Sequence, residues 1–215
     1  MLNTIVSMKN EEQNTQQIIL EAAENEFLAK GFDGARTVSI AEKAGVTHAM
    51  LHYYFRSKEQ LYSTVLESKI SVLFNAVKLS FDQADGSLIE RIKNTISVHF
   101  DFLAQNPKLP PFILSEMGKS PEKFKELVSK NFPLVHDTLF ATVATEIERG
   151  VRQGEIAEIE VFSLVFDIIS LNLFPFIALQ AMQAFKHIIP FDEEVFLASR
   201  KAENIELICS RLTKK

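Results

Sequence analysis

The stretch AGVTHAMLHYYFRSKEQLY, residues 44–62, crowds His48, Met50, His52, Tyr53 and Tyr54 into seven positions. Imidazole and phenol groups donate and accept hydrogen bonds, and Arg56 and Lys58 follow directly. Read as a helix, the stretch is too bulky for a core and too aromatic for an idle surface. Thr47, His48, Ala49, Met50, His52 and Tyr53 fall on one outer face once Leu51 is turned inward, and Tyr54 falls at its edge. Such a face suits a major groove, where base edges and phosphates present acceptors. Other chemistry finds less to stand on. His48 and His52, spaced i, i+4, could ligate a metal, but no HExxH glutamate and no neighbouring cysteine completes a site. GxSxG, GxGxxG and P-loop motifs are absent. His99, His136 and His187 are isolated, so neither an enzyme nor a bound cofactor is expected.

A surface of this kind needs a scaffold. Thr37 is placed to cap a short helix, Gly45 to turn the chain, and Thr47 to cap a second helix. Ile40, Ala44, Val46 and Leu51 fit the positions where two such helices touch, with Ala41 small at the crossing. This is helix-turn-helix spacing over residues 37–55. A preceding helix from about Thr15 to Lys30 presents Ile19, Ala22, Ala23 and Phe27 on one face and stops at Gly31. Ser57-Lys58-Glu59-Gln60 has the form of a capping box opening a fourth helix.

The charge distribution agrees. The 215-residue chain has a net charge of −5, which argues against indiscriminate coating of nucleic acid. Residues 11–33 carry six acids and one lysine. Residues 36–58 carry Arg36, Lys43, Arg56 and Lys58 against Glu42 alone, a local basic footprint.

The whole chain reads as all-α, with about nine helices. Seven glycines and seven prolines punctuate it, few for its length. Residues 1–12 are polar and aperiodic, expected to be a disordered tail. Residues 13–60 form the helix-turn-helix domain, 61–81 a connecting helix, and 87–215 a second domain after the linker DQADG. Ser87 and Ser120-Pro121 are expected to cap helices there. A lone cysteine, Cys209, fits a reducing cytoplasm, and the N-terminus does not read as a secretory signal. The uncharged run 168–185 is borderline for a membrane span, but Ser170, Asn172, Gln180 and Gln183 favour burial in protein, so no membrane partner is expected.

The stretch TVSIAEKAGVTHAMLHYYFRSKEQLY resembles the N-terminal domain of the tetracycline-repressor (TetR) family of bacterial regulators. The resemblance rests on Thr37, Ile40-Ala41, Ala44-Gly45-Val46-Thr47, Tyr54-Phe55 and Lys58-Glu59-Gln60-Leu61, and on AAENEFLAKGFDGA before them. It covers about residues 15–66. The family often has tyrosine where this chain has His52, so the base read there does not carry over. The resemblance implies that Thr37, Thr47, Tyr54 and Lys58 bind phosphates. It implies that His48, Met50, His52 and Tyr53 meet bases and that Ala49 allows close approach. It implies a homodimer on double-stranded operator DNA, a repressor released by a small-molecule effector.

The second domain offers its own signals. Val195, Ala198, Ala202, Ile205, Cys209 and Leu212 recur at spacings of 3 and 4, a heptad seam suited to dimerisation. Phenylalanines from several predicted helices, with a few polar groups among them, suit a pocket for a hydrophobic or aromatic effector. That set is His99, Phe100, Phe112, His136, Phe140, Asn172 and Phe174. The alternative reading is a helical adaptor whose helix-turn-helix binds protein rather than DNA.

Overall fold

The computed structural model describes residues 2–84, 86–119, 121–122, 125–126, 129, 141–188 and 190–213. Among them lie nine helices and no strand. They are α1 (Leu2–Gly34), α2 (Thr37–Ala44), α3 (His48–Tyr54), α4 (Lys58–Asp82), α5 (Leu88–Gln105), α6 (Leu109–Lys119), α7 (Ala141–Gln153), α8 (Val161–Ala184) and α9 (Glu193–Leu212). Two compact units divide the chain. Unit 1 is Met1–Ile70 with Ser115–Leu127, and unit 2 is Ser71–Leu114 with Val128–Lys215. The division falls inside α4 rather than at the DQADG linker, and it assigns the end of α6 to unit 1.

Helix α1 begins at Leu2, so the segment expected to be a disordered tail is part of a helix. The absence of apolar periodicity there removes the sequence signal, not the helical backbone. Gly31, with φ 70° and ψ 177°, breaks α1 near its end, as the sequence predicts. That conformation is nearly exclusive to glycine. Ile19, Ala22, Ala23 and Phe27 of α1 are buried with Ile40, Ala41, Leu51, Phe55 and Leu61 to form the core of unit 1.

In unit 2, α5 packs on α8 and α9, which also pack on each other. Phe81, Leu88, Ile92, Ile96, Ile147, Ile156, Leu164, Ile208 and Leu212 form its core. Ser87 caps α5 by accepting from Glu90 N, and Asp192 caps α9 by accepting from Val195 N. Ser120 lies outside the described residues, as do His136 and Phe140 of the expected effector set. Pro175 lies within α8.

Candidate nucleic-acid interface

The turn between α2 and α3 is built by Gly45, in the left-handed region at φ 67° and ψ 25°. Its N–H and that of Val46 donate to the last carbonyls of α2, closing the helix as a glycine cap does. Thr47 then caps α3, its side chain accepting from Met50 N at 3.2 Å. Thr37 does not cap α2. Arg36 occupies that position without a side-chain hydrogen bond, and Thr37 is the first helical residue. The one-residue shift frees the Thr37 hydroxyl to meet His48 Nε2 at 3.0 Å.

Of the seven residues of α3, Leu51 alone is buried. His48, Ala49, Met50, His52 and Tyr53 are exposed, Tyr53 by 74%, and Tyr54 is half-buried. The rings of His48 and His52 meet edge to face at 4.4 Å, and those of Tyr53 and Tyr54 at 5.3 Å. These pairings restrict side chains that would otherwise be free, so less entropy is lost when a partner is gripped. Among the described residues no group of three or more His, Cys, Asp or Glu converges as a metal would need.

At the start of α4, Ser57 Oγ accepts from Gln60 N at 3.1 Å. Lys58 lies 4.7 Å above the Phe32 ring and donates to Asp33 O at 3.3 Å. Both contacts hold the ammonium beside an open depression of about 570 Å³ lined by Ala35, Arg36, Thr37, Val38, Ser39, Glu42 and Lys58. Arg36 and Ser39 belong to this surface. The sequence marks Arg36 only as a local charge and gives no signal for Ser39.

Glu26 also escapes sequence reasoning. It is fully buried on the apolar face of α1, and it accepts from Lys30 and from Lys43 of α2. Burial alone would raise its carboxyl, but the two lysines outweigh it and hold the pKa at about 2. The pair fixes α2 against α1. The clue is an acid at i+4 from Ala22 and i+3 from Ala23, inside the apolar stripe.

In unit 2, His99 and Asn172 are brought together. Asn172 Nδ2 donates to Ile96 O at 3.0 Å and pairs with His99 Nδ1 at 3.1 Å. Asn172 Oδ1 accepts from Asn204, which also donates to Leu171 O and accepts from Arg200. This chain of donors makes His99 Nδ1 an acceptor and puts the ring proton on Nε2. Burial lowers the imidazole pKa to about 4. Both amide hydrogens of Asn172 are thus engaged within the chain. Phe100 packs at 5.1 Å on Phe176, and Phe112 is also buried.

Phe174 is not with them: it is 67% exposed, and Phe176 takes the inward position. Helix α8 is apolar on every side, so periodicity cannot tell its inner phenylalanine from its outer one. The heptad seam of α9 is split in the same way. Val195, Ala198 and Ala202 are exposed, Ile205 is half-buried, and Cys209 and Leu212 lie in the subunit's own core.

A two-helix motif closed by a glycine turn, with a capped second helix turned almost wholly outward, defines an all-α helix-turn-helix protein. Residues 19–65 match the family described as bacterial regulatory proteins, tetR family, so this helix-turn-helix domain is a domain of that family. It is 29% identical over 151 residues to the transcriptional regulator RutR of Escherichia coli (strain K12), covering 70% of this chain and 68% of that one. To the transcriptional repressor NicS of Pseudomonas putida it is 33% identical over 104 residues, covering 47% and 48%. The uncharacterized regulator YdgC of Bacillus subtilis is 27% identical over 128 residues, covering 57% of this chain and 66% of its own length. The chain thus spans about half to two thirds of the length of these relatives. Among solved structures, FadR of Bacillus subtilis in complex with stearoyl-CoA superposes with a TM-score of 0.70 at 18% identity, covering 92% of this chain and 99% of that one. A TetR family regulator from Marinobacter aquaeolei VT8 superposes with a TM-score of 0.64 at 18% identity, covering 96% and 100%. These two likenesses show the fold.

Proposed function

We propose that the protein is a homodimeric transcriptional repressor that reads a palindromic operator with α3 and leaves it when a hydrophobic or aromatic small molecule binds unit 2. The observation that carries the DNA reading is the outward face of α3, six of whose seven residues are exposed or half-buried on a scaffold locked by Gly45, Thr47 and Glu26. His52, Met50 and Tyr53 are exposed on α3 and are assigned to bases. Thr37, Thr47, Tyr54, Lys58 and Arg36 are assigned to phosphates, with His48 between the two groups through its bond to Thr37. Ala49 keeps the helix close to the groove floor.

Dimerisation is assigned to α8 and α9. Phe162, Phe166, Ile169 and Phe174 on α8 and Val195 on α9 are between 45% and 67% exposed. A soluble chain rarely leaves so many large apolar groups uncovered on neighbouring helices. Helix α8 is also long and apolar enough to cross a membrane. Its Asn172, fully buried and bonded to α5 and α9, supports a protein environment instead. The effector reading is supported by the buried Phe100, Phe112, Phe176 and His99 of unit 2, and by the acyl-CoA bound to the fold neighbour FadR. By linkage, the operator must weaken effector binding by the factor with which the effector weakens operator binding.

The DNA reading is tested by two substitutions with opposite signatures. His52→Ala should cost about 1–3 kcal/mol and relax preference at one base position per half-site. Lys58→Ala should weaken all sequences alike and flatten the salt dependence by about one phosphate per subunit. If both act alike on every sequence, α3 does not read bases through His52.

A further inference from the structure

Glu116 is a carboxylate on α6, 5% exposed, with Oε2 accepting from the Tyr62 hydroxyl at 2.8 Å. Tyr62 lies on α4, one turn after Lys58. Its ring stands edge-on to Phe27 at 5.1 Å and to Phe32 at 4.9 Å. Phe32 is the ring beneath the Lys58 ammonium. The other carboxylate oxygen approaches the residue just before Phe32: a Cβ at Gly31 would lie 3.1 Å from Glu116 Oε1. The carboxylate therefore abuts the Phe32 segment on two sides, through the phenol and through the glycine backbone.

We propose that Glu116 is a positioning residue of the DNA-binding face: it seats Tyr62 and Gly31, these seat Phe32, and Phe32 holds the Lys58 cation where a phosphate is bound. The proposal rests on the DNA reading of unit 1. A buried carboxylate costs more than an apolar side chain filling the same space, so its presence calls for a role beyond packing. Burial and the adjacent Glu116 carboxylate push the Tyr62 phenol well above the ordinary tyrosine range, which keeps it a hydrogen donor. Glu116 belongs to α6, not to the helices of the DNA-binding motif. The Leu109–Leu114 part of α6 groups with unit 2 while Glu116 groups with unit 1.

The experiment measures affinity for the selected operator over a salt series. The proteins are the wild type, Lys58→Ala, Glu116→Ala, Glu116→Gln, Tyr62→Phe and the double variant Glu116→Ala with Lys58→Ala, each checked for folding by thermal melting. Glu116→Ala and Tyr62→Phe should bind about three- to tenfold more weakly. Both should also flatten the salt slope towards that of Lys58→Ala, by up to about 0.9 for each phosphate no longer neutralised. The double variant should be no weaker than Lys58→Ala, and Glu116→Gln, whose amide oxygen still accepts from Tyr62, should stay near wild type. A merely structural role would lower the melting temperature and leave the salt slope unmoved. That result overturns the proposal, as does a double variant in which the two losses multiply. If Glu116→Ala does not fold, Tyr62→Phe decides by the same readouts, with Glu116→Gln as the control that should stay near wild type. If Lys58→Ala itself leaves the slope unchanged, the phosphate assignment of Lys58 fails and takes the proposal with it; an unmoved Glu116 series beside a flattened Lys58→Ala overturns the proposal alone.

Discussion

Two exposed surfaces of this chain differ in kind. Helix α3 exposes imidazoles, a phenol and a thioether, groups that hydrogen-bond or adapt. Helix α8 exposes Phe162, Phe166, Ile169 and Phe174, which do neither. The first surface is costly to leave dry and cheap to leave wet. The second is the reverse. A partner for α3 must therefore present donors and acceptors in a defined pattern, as base edges do. A partner for α8 need only be apolar and complementary in shape, as a second copy of the same helix is.

The sharpest way to break this contrast is to charge the apolar surface. Ala202→Glu, on the exposed part of the α9 seam, should convert the proposed dimer to a monomer in sedimentation. It should also weaken operator binding by about 10²–10⁴, because two half-sites are no longer gripped together. A variant that remains dimeric places the interface elsewhere.

A second test looks beneath α8. His99 has an ordinary pKa of 6.5 and a folded pKa of about 4, lowered by burial. A depressed pKa contributes stability that is complete above the unfolded value and is lost as pH falls towards the folded one. Unit 2 should therefore lose up to about 3 kcal/mol between pH 6.5 and pH 4. Denaturant titrations at successive pH values measure this. His99→Gln, which keeps an acceptor for Asn172 but does not titrate, should flatten the curve in that window. In unit 1 the depressed group is Glu26, lowered from 4.5 to about 2, so its loss should begin only as pH falls below about 4.5, under the histidine step.

The smallest of these effects concerns Gly31. Alanine there must adopt φ 70° and crowd Glu116, and should cost about 1–3 kcal/mol of stability in unit 1. Thermal melting of Gly31→Ala checks it, and a melt unchanged from wild type would show that the turn relaxes freely.

The contrast between surfaces also explains what the sequence disclosed. The α2–α3 motif was legible because its rules are local: a glycine for the turn, a threonine for the cap, one inward leucine between outward neighbours. Thr37 was misplaced by one residue, since a hydroxyl at the helix start serves either as cap or as first residue. In α8 the rules are not local. Every face is apolar, so Phe174 and Phe176 look alike until α5 and α9 are in place. The α9 stripe from Val195 to Leu212 was legible as apolar, but its true inner face runs through Asn204, Ile208 and Leu212. An asparagine bonded to another asparagine 32 residues away leaves no local trace. Glu116 escaped for the same reason, since its partner Tyr62 is 54 residues away, while Glu26 left only its place in the apolar stripe of α1 as a clue.

The central claim is that α3 reads a DNA sequence. Its most direct test is selection from a randomised duplex library, followed by anisotropy titration of the selected site against a scrambled duplex of equal length and charge. The account predicts a palindrome whose half-sites lie about one helical turn apart, roughly 34–36 Å. It also predicts binding at least about 10³-fold tighter than to the scrambled duplex at physiological salt. Affinities equal within a few-fold, falling together as salt rises, would contradict it.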